Sequence, residues 1–261
     1  MAEGAGAPAL ADRWRALASS VAGAAADRFW DSKRGVYADC WAESGLSPVV
    51  SQQANAAAVA FGIAPDARWD SIFDYILDEG RIKLTKAWRW DAERPFEARH
   101  DVILAQPFFC HFLHAALARA GRVDDILANI RRRWAPMLTG GTFWESWQLT
   151  EMTSRCHAFS ATPVYDLSTY VLGLRPAAPG FARFEANPWF GDLEWASGSM
   201  PTPAGPLSLA WHRHGGMIEL EIVVPEGLSG ILSMKGLAKD SPDSGRRALA
   251  PGANRFSLPV P

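Results

Sequence analysis

Between residues 9 and 173 the apolar positions return every three to four residues. Trp14, Leu17, Val21, Ala25 and Phe29 make a first stripe, and Val50, Ala54, Ala57, Ala58 and Phe61 a second, closed by Gly62. Trp69, Ile72, Phe73, Ile76 and Leu77 follow, closed by Gly80; then Ala105, Phe109, Phe112, Leu113 and Ala116, closed by Gly121. Val123, Ile126, Leu127, Ile130 and Trp134 form the fifth stripe. Val164, Leu167, Val171 and Leu172 form the sixth, with Pro163 in its first turn and Gly173 as its stop. This spacing keeps one face of a 3.6-residue helix apolar, and a proline at the start or a glycine past the end marks its limits. Six amphipathic helices, amounting to three helical hairpins, are predicted.

The connections alternate in length. Residues 64–67 and the Gly121 turn are tight, whereas 31–47, 82–98 and 139–158 are long and hold Trp41, Trp88, Trp90, Trp144 and Trp147. Long loops on a rigid scaffold are where binding and catalytic groups concentrate. After Gly173 the helical period disappears. Eleven of the 18 prolines fall there, and short alternating runs (FARFEA, LSLAWHR, MIELEIVV, GILSMKG) are separated by turn-rich pieces such as HRHGGM and APGAN. That pattern predicts an antiparallel β-sandwich. The expected division is therefore a helical domain over 9–175 and a β-domain over 176–261.

Composition narrows the functional classes. At 261 residues with a net charge of −2, the chain has no basic excess that would favour nucleic acid or an acidic membrane surface. No apolar run approaches the ~18 residues of a membrane span, and the first residues lack a signal-peptide pattern, so the cytoplasm is the favoured compartment. Cys40, Cys110 and Cys156 are odd in number and widely spaced, as expected of reduced thiols and not of a disulfide framework or zinc site. His111 and His114 share a helix face without an acidic partner, so neither a metal site nor a cofactor is expected. The outlying feature is tryptophan, 12 residues against 4 tyrosines.

One stretch concentrates that feature with a charge. GGTFWESWQ, residues 140–148, sets Glu145 among Phe143, Trp144 and Trp147. A carboxylate among rings loses hydration and needs a partner or a use. It is either a surface loop whose rings cover core while the carboxylate points to water, or a sugar site with rings on C–H faces and the carboxylate handling protons.

Four stretches carry a family likeness: DRFWDSKRGVYADC, SQQANAAAVAFGI, GRVDDILANIRRRWAPMLTGGTFWESW and SRCHAFSATPVYDLSTYVLGLRPAAPGFARFEANP. In this order and spacing they resemble the bacterial α-L-rhamnosidases of glycoside hydrolase family 78, and the segment from Leu193 to Pro225 resembles their C-terminal β-domain. The resemblance implies an α+β multidomain chain. In it, part of an (α/α)6 toroid of the six-hairpin glycosidase type is followed by a β-sandwich. It also implies hydrolysis of terminal α-L-rhamnosides with inversion, which uses two carboxyl groups roughly 6.5–9.5 Å apart. The family's general base lies in a T-x-W-E-x-W-like loop, matching Thr142, Trp144, Glu145 and Trp147. His157 matches a family histidine that contacts the sugar, against the plainer reading of a residue packed beside the last helix. Trp144 and Trp147 are expected site walls; Trp41, Trp88 and Trp90 are further candidates that loop packing would explain equally well.

The family's general-acid motif has no counterpart here. The nearest cluster offers Asp91, Glu93, Glu97 and Asp101, for which ion pairs with Arg94 and Arg99 are the default. Three hairpins stand where six are expected. The expected role is thus the general-base half of a rhamnosidase, with a carbohydrate substrate and either a missing N-terminal half-barrel or a second copy as partner. The alternative is a truncated, non-catalytic six-hairpin relative that binds carbohydrate or serves in assembly. Another six-hairpin carbohydrate enzyme, such as a different glycosidase or a lyase acting on uronic acid, is a third reading; a lyase would favour a Tyr/His or Lys pair and would not need the Glu145 loop in this form.

Overall fold

The computed structural model describes residues 2–84, 96–233 and 245–259. By contact the chain divides into two compact units, Met1–Gly121 with Gly140–Ser160, and Arg122–Thr139 with Ala161–Pro261. Six α-helices occur among the described residues, together with several sheets, so the fold is α+β.

The first unit contains α1 (Pro8–Arg28), the short strands β1 (Trp30–Asp31), β2 (Val36–Tyr37), β3 (Trp41–Ala42), β4 (Gly45–Leu46) and β5 (Val50–Ser51), then α2 (Gln52–Ala60) and α3 (Trp69–Ile76). Strands β6 (Ile82–Lys83) and β7 (Val102–Ile103) precede α4 (Cys110–Arg119). Helix α2 packs on both α3 and α4. Ile72, Phe73 and Ile76 of α3 and Leu113, Ala116 and Leu117 of α4 are fully buried.

Two buried amides join α2 to the loops around it. Asn55 accepts the Tyr37 amide at 2.8 Å and donates to the carbonyls of Tyr37 and Ser51 at 2.9 Å each. Gln52 donates to the Ile76 carbonyl and accepts the Ala105 amide, both at 2.9 Å. Either amide left unpaired would cost a few kcal/mol, so these bonds specify where the loops run. Ser51 caps α2 by accepting the Ala54 amide at 3.1 Å.

Two features differ from the sequence expectation. Strands β5, β7 and β6 form a parallel ladder inside the helical region, and two-residue strands are too short to leave an alternating pattern. The first predicted stripe does form a helix, but its face lies open. Leu10, Trp14, Leu17 and Val21 are 44–59% exposed and only Ala11 is buried.

The second unit opens with α5 (Val123–Trp134), which carries Asp124 and Asp125 in its first turn and Arg131–Arg133 in its last, the polarity that complements a helix dipole. Helix α6 (Thr162–Asp166) continues as a π-helical turn over Leu167–Val171. Gly173 ends it at φ +77, where an added Cβ would lie 2.1 Å from the Asn187 carbonyl oxygen, so no other residue fits. Of the sixth stripe, Val171 and Leu172 are buried, while Val164 and Leu167 are exposed.

Eight strands follow: β8 (Leu174–Pro176), β9 (Arg183–Ala186), β10 (Trp195–Thr202), β11 (Gly205–His214), β12 (Met217–Val224), β13 (Ser229–Ser233), β14 (Arg246–Leu249) and β15 (Gly252–Pro259). They form two four-stranded sheets, β10-β11-β12-β15 and β14-β13-β9-β8. Both sheets contribute to one core, in which Phe184 and Leu232 meet Leu209, Trp211, Leu220 and Ile222. The expected sandwich thus needs one correction, because β9 and β13 run parallel. The intervening β10–β12 belong to the other sheet, and the chain returns to its first sheet in the original direction.

Candidate active site

The loop after Thr139 leaves and returns as two arms tied by backbone bonds. The Glu145 amide donates to the Ser154 carbonyl at 3.0 Å, and the His157 amide donates to the Phe143 carbonyl at 2.8 Å. Thr142 Oγ1 adds a bond to the Arg155 carbonyl. The Glu145 side chain is exposed, and its Oε2 accepts the Ser154 amide at 2.9 Å. A carboxylate oriented by one N–H keeps acceptor capacity for a water or a hydroxyl.

The aromatic neighbours have unequal roles. Trp147 is half-buried: its indole Nε1 donates to the Ala105 carbonyl at 2.7 Å, and its backbone amide reaches Gln106 Oε1 at 3.3 Å. This fastens the loop to the segment entering α4. Trp144 lies over Gly140, where a Cβ would come within 3.0 Å of the indole nitrogen; a side chain at 140 would push that ring aside. His157 is half-buried with its ring 5.7 Å from Phe159. Phe159 in turn meets Phe108 edge-on at 5.5 Å, and these two rings are 68% and 49% exposed.

Of the residues singled out in the sequence, Glu145, Trp144, Trp147 and His157 share this two-armed loop. Trp41 is on the separate β3–β4 hairpin, half-exposed, with the Arg28 guanidinium 5.4 Å from its ring centre. Trp88, Trp90, Asp91 and Glu93 lie outside the described residues. Asp101 is fully buried, accepting the Glu97 amide and holding His100 Nδ1, each at 2.9 Å, which is a structural use of its charge.

Sequence reasoning passed over four contributors. Gln106 and Ser154 act through a side-chain oxygen and a backbone amide, for which no residue pattern exists. Phe108 and Phe159 lie 51 positions apart and are joined only by the fold. A further carboxyl, Asp39, accepts both the amide and the hydroxyl of Ser51 at 2.8 Å. Withdrawal from water nevertheless raises it above the ordinary carboxylate range, outweighing those two bonds.

Comparison with known proteins shows what the chain is similar to. Residues 173–248 match the bacterial alpha-L-rhamnosidase C-terminal domain. An alpha-L-rhamnosidase of Alteromonas sp. (strain LOR) is 25% identical over 132 aligned residues, covering 43% of this chain and 14% of that protein. The GH78 family rhamnosidase of Bacillus sp. GL1 superposes with a TM-score of 0.73 at 29% identity, over 90% of this chain and 24% of the other. The alpha-L-rhamnosidase of Dictyoglumus thermophilum superposes at 0.70 and 18% identity, over 99% and 30%. The chain thus spans less than a third of each relative's length. It is similar to the α-L-rhamnosidases of glycoside hydrolase family 78, and residues 173–248 match the C-terminal domain of the bacterial ones.

Proposed function

We propose that this chain takes part in hydrolysing terminal α-L-rhamnosides and supplies the general-base half of an inverting site. The observation that carries the reading is the exposed Glu145 carboxylate, oriented by the Ser154 amide on a loop fastened by Trp147. In this reading Glu145 takes a proton from the water that attacks the anomeric carbon, while a carboxylic acid on the other side of the sugar protonates the leaving oxygen. Trp144 and Trp147 wall the sugar, and His157 bonds one of its hydroxyls. Residues 9–175 form part of an (α/α)6 toroid, and 176–261 form a sandwich. The acid comes from the remaining toroid, supplied by a further half-barrel.

The test uses 2,4-dinitrophenyl α-L-rhamnoside, whose leaving group departs without a proton and so needs the base half alone. The chain is expected to hydrolyse it to β-L-rhamnose, seen first by NMR before mutarotation. Glu145→Gln should lower the rate about 10²–10⁴-fold, the usual worth of a positioned base. A retained α-configuration, or a rate unchanged in Glu145→Gln, contradicts the assignment.

A further inference from the structure

The outer face of the β10-β11-β12-β15 sheet carries a second feature. On β11, Leu207, Leu209 and Trp211 point into the core, so Ser208, Ala210 and His212 point outward. Register then aligns two outward rows across all four strands. One runs Trp195, His212, Glu219, Ser257, and the next runs Ser197, Ala210, Glu221, Arg255. Because Ser197 and Ala210 are short beside the taller residues around them, the face is hollowed into a trough of about 260 Å³.

Three properties separate this trough from an ordinary solvated sheet face. Trp195 is 66% exposed on an edge strand, where a bare indole is a liability for association. The polar groups are held in place: Glu219 accepts the Ser257 hydroxyl at 2.6 Å, and Glu221 pairs with Arg255 at 2.8 Å. Each carboxylate is thus oriented by a neighbour through one oxygen and keeps acceptor capacity on the other. The volume, finally, lies just below the ~300–1,000 Å³ of small-molecule pockets. It suits one or two small rings. The larger cavity of about 630 Å³ beside Pro176, Phe181 and Pro203 offers, by contrast, no polar side chain.

An indole face next to planar carboxylates and a guanidinium is complementary to a pyranose. The ring's C–H face, polarised positive, lies on the negative π-face of Trp195, while its hydroxyls donate to Glu219 and Glu221 and accept from Arg255. Two carboxylates against one guanidinium disfavour an anionic sugar. We propose that this trough is a saccharide-binding surface for neutral pyranosides, with Trp195 as its platform and Ala210 as its floor. It is independent of the role assigned to Glu145, since it lies wholly within the sandwich and uses none of that loop.

Indole N–H signals of the full chain, read in ¹H–¹⁵N spectra, test this. Trp195 is assigned by the signal lost in Trp195→Phe. Titration with methyl α-L-rhamnopyranoside or methyl β-D-glucopyranoside should shift that signal, with methyl α-D-glucuronopyranoside binding at least about tenfold more weakly. Trp195→Ala, at an exposed position, and Ala210→Leu, which fills the trough and keeps the indole, should each weaken binding of the neutral glycosides at least about tenfold. A Trp195 signal that stays still while Trp144 or Trp147 moves overturns the inference and leaves the Glu145 reading standing. Unchanged affinity in Ala210→Leu overturns it as well. A Trp195 response with Trp144 and Trp147 silent supports it.

Discussion

The Ser154 amide donates to Glu145 Oε2 at 2.9 Å while the Glu145 amide donates back to the Ser154 carbonyl, so one pair of residues fixes both the backbone and the side chain of the candidate base. Glu145→Gln retains an oxygen acceptor for Ser154, whereas Glu145→Ala removes it. Hydrogen exchange at the Ser154 amide should therefore remain close to wild type in Glu145→Gln and quicken in Glu145→Ala. The stability cost of the alanine variant is expected to be about 1 kcal/mol or less, because the bond is exposed.

Trp147 is predicted to matter more to folding than Trp144. Trp147→Phe keeps most of the ring but leaves the buried Ala105 carbonyl without its indole donor. The carbonyl would keep only the long, weak contact of the Cys110 thiol at 3.9 Å, and a buried acceptor left so poorly satisfied costs about 1–3 kcal/mol. Urea unfolding should register that loss, and Trp144→Phe should lose less.

Gly173→Ala should be among the most damaging single substitutions. It combines a left-handed backbone at φ +77 with a methyl group 2.1 Å from the Asn187 carbonyl oxygen. Backbone strain of this kind costs on the order of 1–3 kcal/mol, and the overlap adds to it. A large fall in the thermal midpoint is expected; a midpoint within a degree of wild type would contradict the geometry.

Two carboxylates of the first unit should respond to pH in opposite senses. Burial tends to raise Asp31, but hydrogen bonds from the Arg34 side chain and amide, with its charge, hold it below the ordinary value. Its contribution is present above the unfolded value of about 3.9 and is lost as pH falls through the lowered folded value. For Asp39, raised by burial, the contribution is present below about 3.9 and is lost as pH rises through the raised value. Thermal midpoints should accordingly show Asp31→Asn destabilising at pH 7 and converging on wild type at acid pH. Asp39→Asn should show its greatest relative gain at neutral pH.

The helices were legible because each is long enough to repeat its pattern, and Gly62, Gly121 and Gly173 sit at positive φ where the stripes stop. The strands β11 and β12 were legible for the same reason, alternating buried and exposed residues over eight or more positions. What escaped has no local signal. Burial of a stripe depends on a partner surface, so Trp14 and Val164 form helical faces and still stand in water. The parallel pairing of β9 with β13 depends on a return across forty residues. At the site, Glu145 stood out by its ring neighbours, while its actual partner is the amide of Ser154, a group every residue but proline possesses.

Chemical rescue tests the central claim most directly. Azide needs no base to attack an anomeric carbon, so it can stand in for water when the base is removed. Glu145→Ala should hydrolyse 2,4-dinitrophenyl α-L-rhamnoside about 10²–10⁴-fold more slowly than wild type, and added azide should restore dinitrophenolate release with formation of the β-L-rhamnosyl azide. Wild type should be insensitive to azide. If Glu145→Ala instead keeps the wild-type rate, or azide gives the α-azide, Glu145 is not the general base of an inverting site.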